Sequence, residues 1–195
     1  MDYYKKKQTA REGQRKIFST KKYRPHFIII LIIIAVLFLG RYCWREYRWR
    51  FIVIHHTASE SGNLDYIRKI HIKERGWHDI AYHFVINNGS MGTAPGQIEI
   101  SDLWLSREAN LSTQLNYVNI FAISVVLIGN FENQDIPHLQ KESLIRLLTN
   151  LSIKYGIPPE RVIGHGEIQN TACPGGHIDM NGIRHLLRQK LSEIE

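Results

Sequence analysis

The sequence predicts an α/β domain preceded by a single apolar helix that crosses a membrane. Three observations carry this reading. An uncharged apolar run, Phe27 to Gly40, sits behind a basic tail. From Phe51 onward, short apolar runs bounded by turn residues alternate with segments of helical period. The charge is also divided: residues 1–50 hold 13 Lys+Arg against 3 Asp+Glu, and residues 51–195 hold 12 against 15. The net charge of +7 therefore belongs to the first fifty residues. The mildly acidic remainder excludes a nucleic-acid-binding domain, which needs a basic face. An apolar content of 44% excludes a disordered chain. Two cysteines, Cys43 and Cys173, exclude a disulfide-dense scaffold.

Residues 1–25 form a basic tail carrying nine Lys and Arg. Phe27–Gly40 spans about 21 Å as a helix, and extension to Trp44 gives about 27 Å, close to the roughly 30 Å hydrocarbon core. Arg41 must then snorkel outward. Residues 26–44 therefore read as the anchor and residues 45–50 as a juxtamembrane segment. Tyr42, Trp44, Tyr47 and Trp49 supply an interfacial aromatic belt. A core helix would not be flanked by so many cations. A signal cleavage site requires small residues that Leu39-Gly40-Arg41 and Arg41-Tyr42-Cys43 do not supply. The shortness of the run leaves a removed signal as the alternative. Nine cations precede the run and four follow it closely, so the positive-inside bias puts the N-terminus in the cytoplasm and residues 51–195 outside. With almost no linker, the domain is expected to sit against the membrane surface.

Within 51–195, Phe51-Ile-Val-Ile-His55 is a short buried strand. Asn63 caps a helix to about Arg75, with Leu64, Ile67, Ile70 and His71 on one face. Tyr82-His-Phe-Val-Ile86 reads as a second strand, and Asn87-Asn88-Gly89 turns it back towards Gln97–Ile100. The polar stretch 101–118 reads as loop. Phe121 to Ile128 is a core strand stopped by Gly129-Asn130. Leu139 to about Lys154 is an amphipathic helix ended by Gly156 and Pro158-Pro159. Arg161-Val-Ile-Gly164 is a short strand. Asp179 to about Ile194 is the last helix, with Ile183, Leu186, Leu187 and Leu191 in one stripe.

The residues with chemical potential fall at strand ends. His55 closes the first strand, His165 closes the Val162-Ile-Gly strand, and Cys173 lies eight positions later. Histidine and cysteine are preferred zinc ligands, and three of them with an open position make a catalytic site. A structural zinc would need a fourth ligand, for which His177 is the candidate. On residue types alone, structural histidines compete with this reading.

Several motifs in register narrow it. Ile-Val-Ile-His55-His56-Thr-Ala-Ser59, Gly76-Trp-His-Asp-Ile-Ala-Tyr82-His-Phe84, Leu127-Ile-Gly-Asn-Phe131, and Gly164-His165-Gly-Glu-Ile168 through Thr171-Ala-Cys173-Pro-Gly175 occur in this order. Together they resemble the type-2 N-acetylmuramoyl-L-alanine amidases, the family of phage T7 lysozyme and the peptidoglycan recognition proteins, over roughly residues 50–192. The resemblance implies a mixed central β-sheet flanked by helices, with a Zn2+ site made by His55, His165 and Cys173. It implies that His56 points away from that site, as strand alternation requires. It maps the family's tyrosine to Tyr82 and the position two before the cysteine to Thr171, both as catalytic groups. The glutamate that some branches carry in the third core strand is absent from Val125-Val126-Leu127-Ile128. Where relatives often show a His-Ala pair lining the substrate groove, this chain has Arg107-Glu108-Ala109. Glu167 reads as a structural group rather than a general base.

The function implied is zinc-dependent hydrolysis of the bond between the lactyl group of N-acetylmuramic acid and L-alanine, by a membrane-anchored enzyme in the periplasm or outside the cell. Peptidoglycan or a muropeptide is the partner. A non-catalytic peptidoglycan-binding module is the alternative from another class. Recognition proteins that lost catalysis typically lack the cysteine, which is present here. An envelope scaffold that merely keeps the fold is the third reading.

Overall fold

A computed structural model describes residues 24–194 of the 195. Helix α1 spans Arg24–Tyr47, and its segment His26–Tyr47 is long and apolar enough to cross a membrane, with a mean hydropathy of 2.5 and no buried share. An unburied apolar helix is not a core helix. Tail residues 1–23, expected to lie on the cytoplasmic side, fall outside the described residues.

A separate compact unit begins at Arg45. Its strands are β1 (Phe51–His56), β2 (Phe84–Asn88), β3 (Pro95–Ile100), β4 (Ala122–Leu127) and β5 (Val162–Gly164). Its helices are α2 (Leu64–Arg75), α3 (Asp102–Leu105), α4 (Asn116–Phe121), α5 (His138–Tyr155) and α6 (Met180–Ser192). The sheet order is β3-β2-β4-β1-β5. β1 runs parallel to β4 and β5, β2 runs parallel to β4, and β3 alone is antiparallel, pairing with β2. The expected mixed sheet flanked by helices is therefore present.

Alternation along the strands sorts the side chains between two layers. Ile52, Ile54, Phe84, Ile86, Ile123, Val125 and Leu127 face a core completed by Leu144, Leu148, Ile183 and Leu187 of α5 and α6. Val85, Val126 and Ile128 face Leu64 and Ile67 of α2. Asn63 caps α2 by accepting from the Tyr66 N–H at 2.8 Å, and Asp179 caps α6 from the Gly182 N–H at 2.9 Å.

Two local expectations change, at the second strand and in the stretch 101–118. The second strand starts at Phe84, not Tyr82, because His83 uses its own groups on Ser124 and Ser101. Its N–H donates to the Ser124 carbonyl, its Nδ1 accepts from the Ser124 N–H, and its carbonyl accepts from Ser101. Tyr82 thus lies in an irregular segment just ahead of β2. The stretch 101–118 is not all loop: it holds α3 and the start of α4, and it buries Leu103 and Trp104. The segment 45–50 is part of the compact unit, because Trp49 is fully buried against Trp104 and His83.

Candidate metal centre

His55 sits at the C-terminal end of β1, where the parallel strands β4 and β5 flank it. It follows Val53 by two residues, so it projects to the α2 side of the sheet. His165 opens a 3-10 turn, His165–Glu167, directly after β5. Cys173 comes from the following loop. One ligand-type atom from each of His55, His165 and Cys173 lies within 4.8 Å of the others. The Cys173 Sγ is 3.7 Å from His55 Nδ1, and the two imidazole centroids are 4.6 Å apart.

The loop is locked by close backbone approach. Gly166 donates its N–H to the Cys173 carbonyl at 2.6 Å, and a Cβ there would come within 2.9 Å of the carbonyl oxygens of both Cys173 and Thr171. Gly175 has φ +105°, and a Cβ there would strike the Phe131 carbonyl at 2.4 Å. Glycine at these two positions lets the cysteine loop close against both β5 and the segment after β4.

Neighbouring groups set the charge states. Burial holds the His55 imidazole well below its ordinary pKa, helped by His165 and His56. Burial also lowers His165. Both rings are therefore neutral near pH 7, the form that ligates metals. Burial pushes the Cys173 thiol up to about 11, against a lowering contact from the His56 N–H. Nε2 of His55 is buried with no hydrogen-bond partner among the described residues. A buried imidazole left unsatisfied costs free energy. Beside a thiol and a second imidazole, it fits a soft divalent cation held by nitrogen and sulfur, such as zinc.

The remaining sequence candidates are placed as follows. Tyr82 packs on His55 with ring centroids 5.2 Å apart, and burial and the nearby Cys173 raise its pKa, so the phenol keeps its proton. Thr171 is exposed at the mouth of the cysteine loop, and its Oγ1 accepts the Cys173 N–H at 3.3 Å. His56 turns the other way: its ring stacks on Phe131 and its Nδ1 accepts the Phe131 N–H. His177, the candidate for a fourth ligand, pairs with Asp135 at 2.9 Å instead. Glu167 accepts the Gly164 N–H and binds Arg184 through both oxygens, so it fastens β5 to α6.

Sequence reasoning missed His71. It accepts the Ala81 N–H on Nδ1 at 3.0 Å and packs between Trp77 and Tyr82. Its regular place in the apolar face of α2 was the only signal. Gln169 was missed as well; its Oε1 lies 3.2 Å from His165 Nε2 and orients that ring.

A mixed sheet with two histidines and a cysteine gathered at its strand ends defines the class. The chain belongs to the N-acetylmuramoyl-L-alanine amidase family Amidase_2, whose model matches residues 45–176. It is 24% identical to peptidoglycan-recognition protein LB of Drosophila melanogaster over 139 residues, 66% of this chain and 55% of that protein. It is 25% identical to peptidoglycan recognition protein 1 of Bos indicus over 138 residues, 66% of this chain and 68% of that protein. Among solved structures, N-acetylmuramoyl-L-alanine amidase LysC from Clostridium intestinale URNW superposes with a TM-score of 0.63 at 28% identity, covering 74% of this chain and 88% of that one. The chain thus spans about half to two thirds of the length of these recognition proteins, and most of the amidase.

Proposed function

We propose that this chain is a membrane-anchored zinc amidase that hydrolyses the N-acetylmuramoyl-L-alanine bond of peptidoglycan. The observation that carries the reading is the convergence of His55, His165 and Cys173 from three separate segments onto one point. Cys173 favours hydrolysis over a binding-only role, because a site that only binds has no need of a half-buried sulfur ligand beside two imidazoles.

In this reading His55, His165 and Cys173 hold zinc, and Tyr82 and Thr171 serve the reaction. Zinc there supplies Lewis acidity, polarising an amide carbonyl and making water nucleophilic near neutral pH. Tyr82, kept protonated by its surroundings, donates a hydrogen bond to the oxyanion that develops on the scissile carbonyl. The Thr171 hydroxyl, exposed at the loop mouth, orients water or substrate. Gln169 and the Gly166 contact hold His165 and the cysteine loop in register. Glu167 is committed to Arg184 and is not the base. The anchor is residues 26–44, within helix α1, with the basic tail cytoplasmic and the catalytic unit on the side where peptidoglycan lies.

Mass analysis of digested peptidoglycan tests the reading. Zinc-loaded protein at neutral pH releases stem peptides with a free N-terminal L-alanine and leaves glycan with unsubstituted lactyl groups. Retention of intact peptidoglycan that still binds the protein supports the binding-module alternative instead.

A further inference from the structure

The end of β1 opposite the metal centre carries apolar side chains that solvent exposure does not explain. Helix α4 buries Val118 and Asn119 but turns Tyr117 and Ile120 outward, 59% and 37% exposed. An outward helix face in water is ordinarily polar. Leu105, at the end of α3, is 65% exposed. These residues flank the point where the chain enters the sheet. Phe51 pairs with Ala122 directly after α4, and its ring meets Tyr117 edge-on at 6.0 Å. The Arg50 N–H donates to the Phe121 carbonyl at 2.8 Å. On the other flank, Arg45 donates to the Ser106 carbonyl, and Arg48 donates to the Arg107 carbonyl at 3.1 Å.

The length of chain fixes what lies beyond this edge. Helix α1 ends at Tyr47 and β1 begins at Phe51. Four residue steps extend at most roughly 14 Å. If the anchor segment 26–44 of α1 spans a bilayer, three further helical residues add about 5 Å, so Phe51 lies within roughly 19 Å of its surface, with the Tyr117 ring against its own. The charges suit an anionic interface. Arg50 and Arg161 are exposed there, with the Arg161 guanidinium 5.9 Å from the Phe51 ring. The acidic groups nearby are engaged: Glu46 by Arg107 and Lys154, Glu108 by Arg45, and Glu160 by Arg188.

We propose that this edge is a second membrane contact, with Leu105, Tyr117 and Ile120 seated among the headgroups of the bilayer and Arg50 and Arg161 beside anionic phosphates. The proposal rests on the reading of α1 as an anchor. Tyrosine suits such a boundary because its ring is apolar and its hydroxyl wet. The docked edge sets the height of the metal centre. His55 stands four residues along β1 from Phe51, about 13 Å at roughly 3.3 Å per residue, so the site faces away from the lipid.

Photo-cross-linking of the full chain in vesicles tests this. A benzoylphenylalanine is placed at Ile120 in one sample and at Leu139 in another. Leu139 is 49% exposed at the start of α5, 16 residues and about 24 Å along the helix from Tyr155, which binds Glu46 at the entry point. In phosphatidylethanolamine–phosphatidylglycerol vesicles, the lipid adduct at position 120 exceeds that at position 139 several-fold. Replacing phosphatidylglycerol by phosphatidylcholine lowers it. Equal adducts at the two positions, or cross-links from 120 to a second copy of the chain, overturn the docking. Flotation of the same sample separates the two readings. A chain that floats with vesicles and resists carbonate extraction, yet gives equal adducts, loses the docked edge and keeps its anchor. A chain that does not float overturns the anchor and the docked edge together. An adduct at 120 indifferent to anionic lipid overturns the part assigned to Arg50 and Arg161.

Discussion

Tyr82 and Thr171 stand beside the same three donors in different ways, and their variants should differ accordingly. Tyr82 packs on His55 and is held from behind by His71. Removing its hydroxyl leaves the ring packing in place. Tyr82→Phe should keep the fold and metal content and lower turnover by roughly 100- to 1000-fold, the usual cost of one oxyanion donor. Thr171 is exposed, and its hydroxyl accepts the Cys173 N–H, a weak contact at 3.3 Å. Thr171→Val should therefore cost less. Turnover measured alongside metal content checks both. An unchanged rate in Tyr82→Phe would remove tyrosine from the chemistry and leave it a packing residue.

Among the elements, the joint between the segment before β2, β4 and the 107–109 loop is built on His83. Its Nδ1 accepts from the Ser124 N–H and its Nε2 faces the Glu108 carbonyl at 3.0 Å, so both bonds are satisfied only by the neutral ring. Burial lowers its pKa to about 4, and burial does the same to His71. The unfolded chain takes up these protons near the ordinary histidine value of about 6.5. Stability is therefore full above about pH 6.5, falls as pH drops towards 4, and is lost below it, by up to about 3 kcal/mol for His83. Thermal unfolding between pH 7 and 4.5 should show this loss, and His83→Gln should flatten it. The same slope in the variant would contradict the assignment. This joint also shows what the sequence could not display. β1, α2 with its Asn63 cap and α6 with its Asp179 cap follow from periodicity and capping, because their causes are local. The start of β2 depends on a partner 41 residues away, Ser124. Helix α3 has four residues, too few for a period to show, and its Trp104 is buried by Trp49, 55 positions earlier. The metal trio was legible only because its motifs stand in family order. Spacing alone did not bring together residues 55, 165 and 173.

For the whole molecule, the compact unit starts at Arg45, within the last turn of helix α1. Trp49 is fully buried, and Glu46 binds Arg107 at 2.6 Å and Lys154 at 2.7 Å. A chain beginning at Arg45 should unfold cooperatively, whereas one beginning at Phe51 lacks the tryptophan and the ion pairs. Deleting a buried tryptophan side chain costs about 3–5 kcal/mol, a large part of a typical stability of 5–15. Equal melting temperatures for the two would show that residues 45–50 are dispensable. Under the proposed function, the same continuity joins an envelope anchor to a site for a wall polymer, which makes the metal centre the claim on which the rest depends. Metal content per chain in His55→Ala and in His56→Ala tests that claim most directly, because the two histidines are adjacent and the structure turns them to opposite sides of one strand. The account predicts about one zinc per chain in the parent and nearly as much in His56→Ala, with a loss of orders of magnitude in affinity for His55→Ala. Equal depletion in the two variants, or a parent chain that retains no zinc, would contradict it.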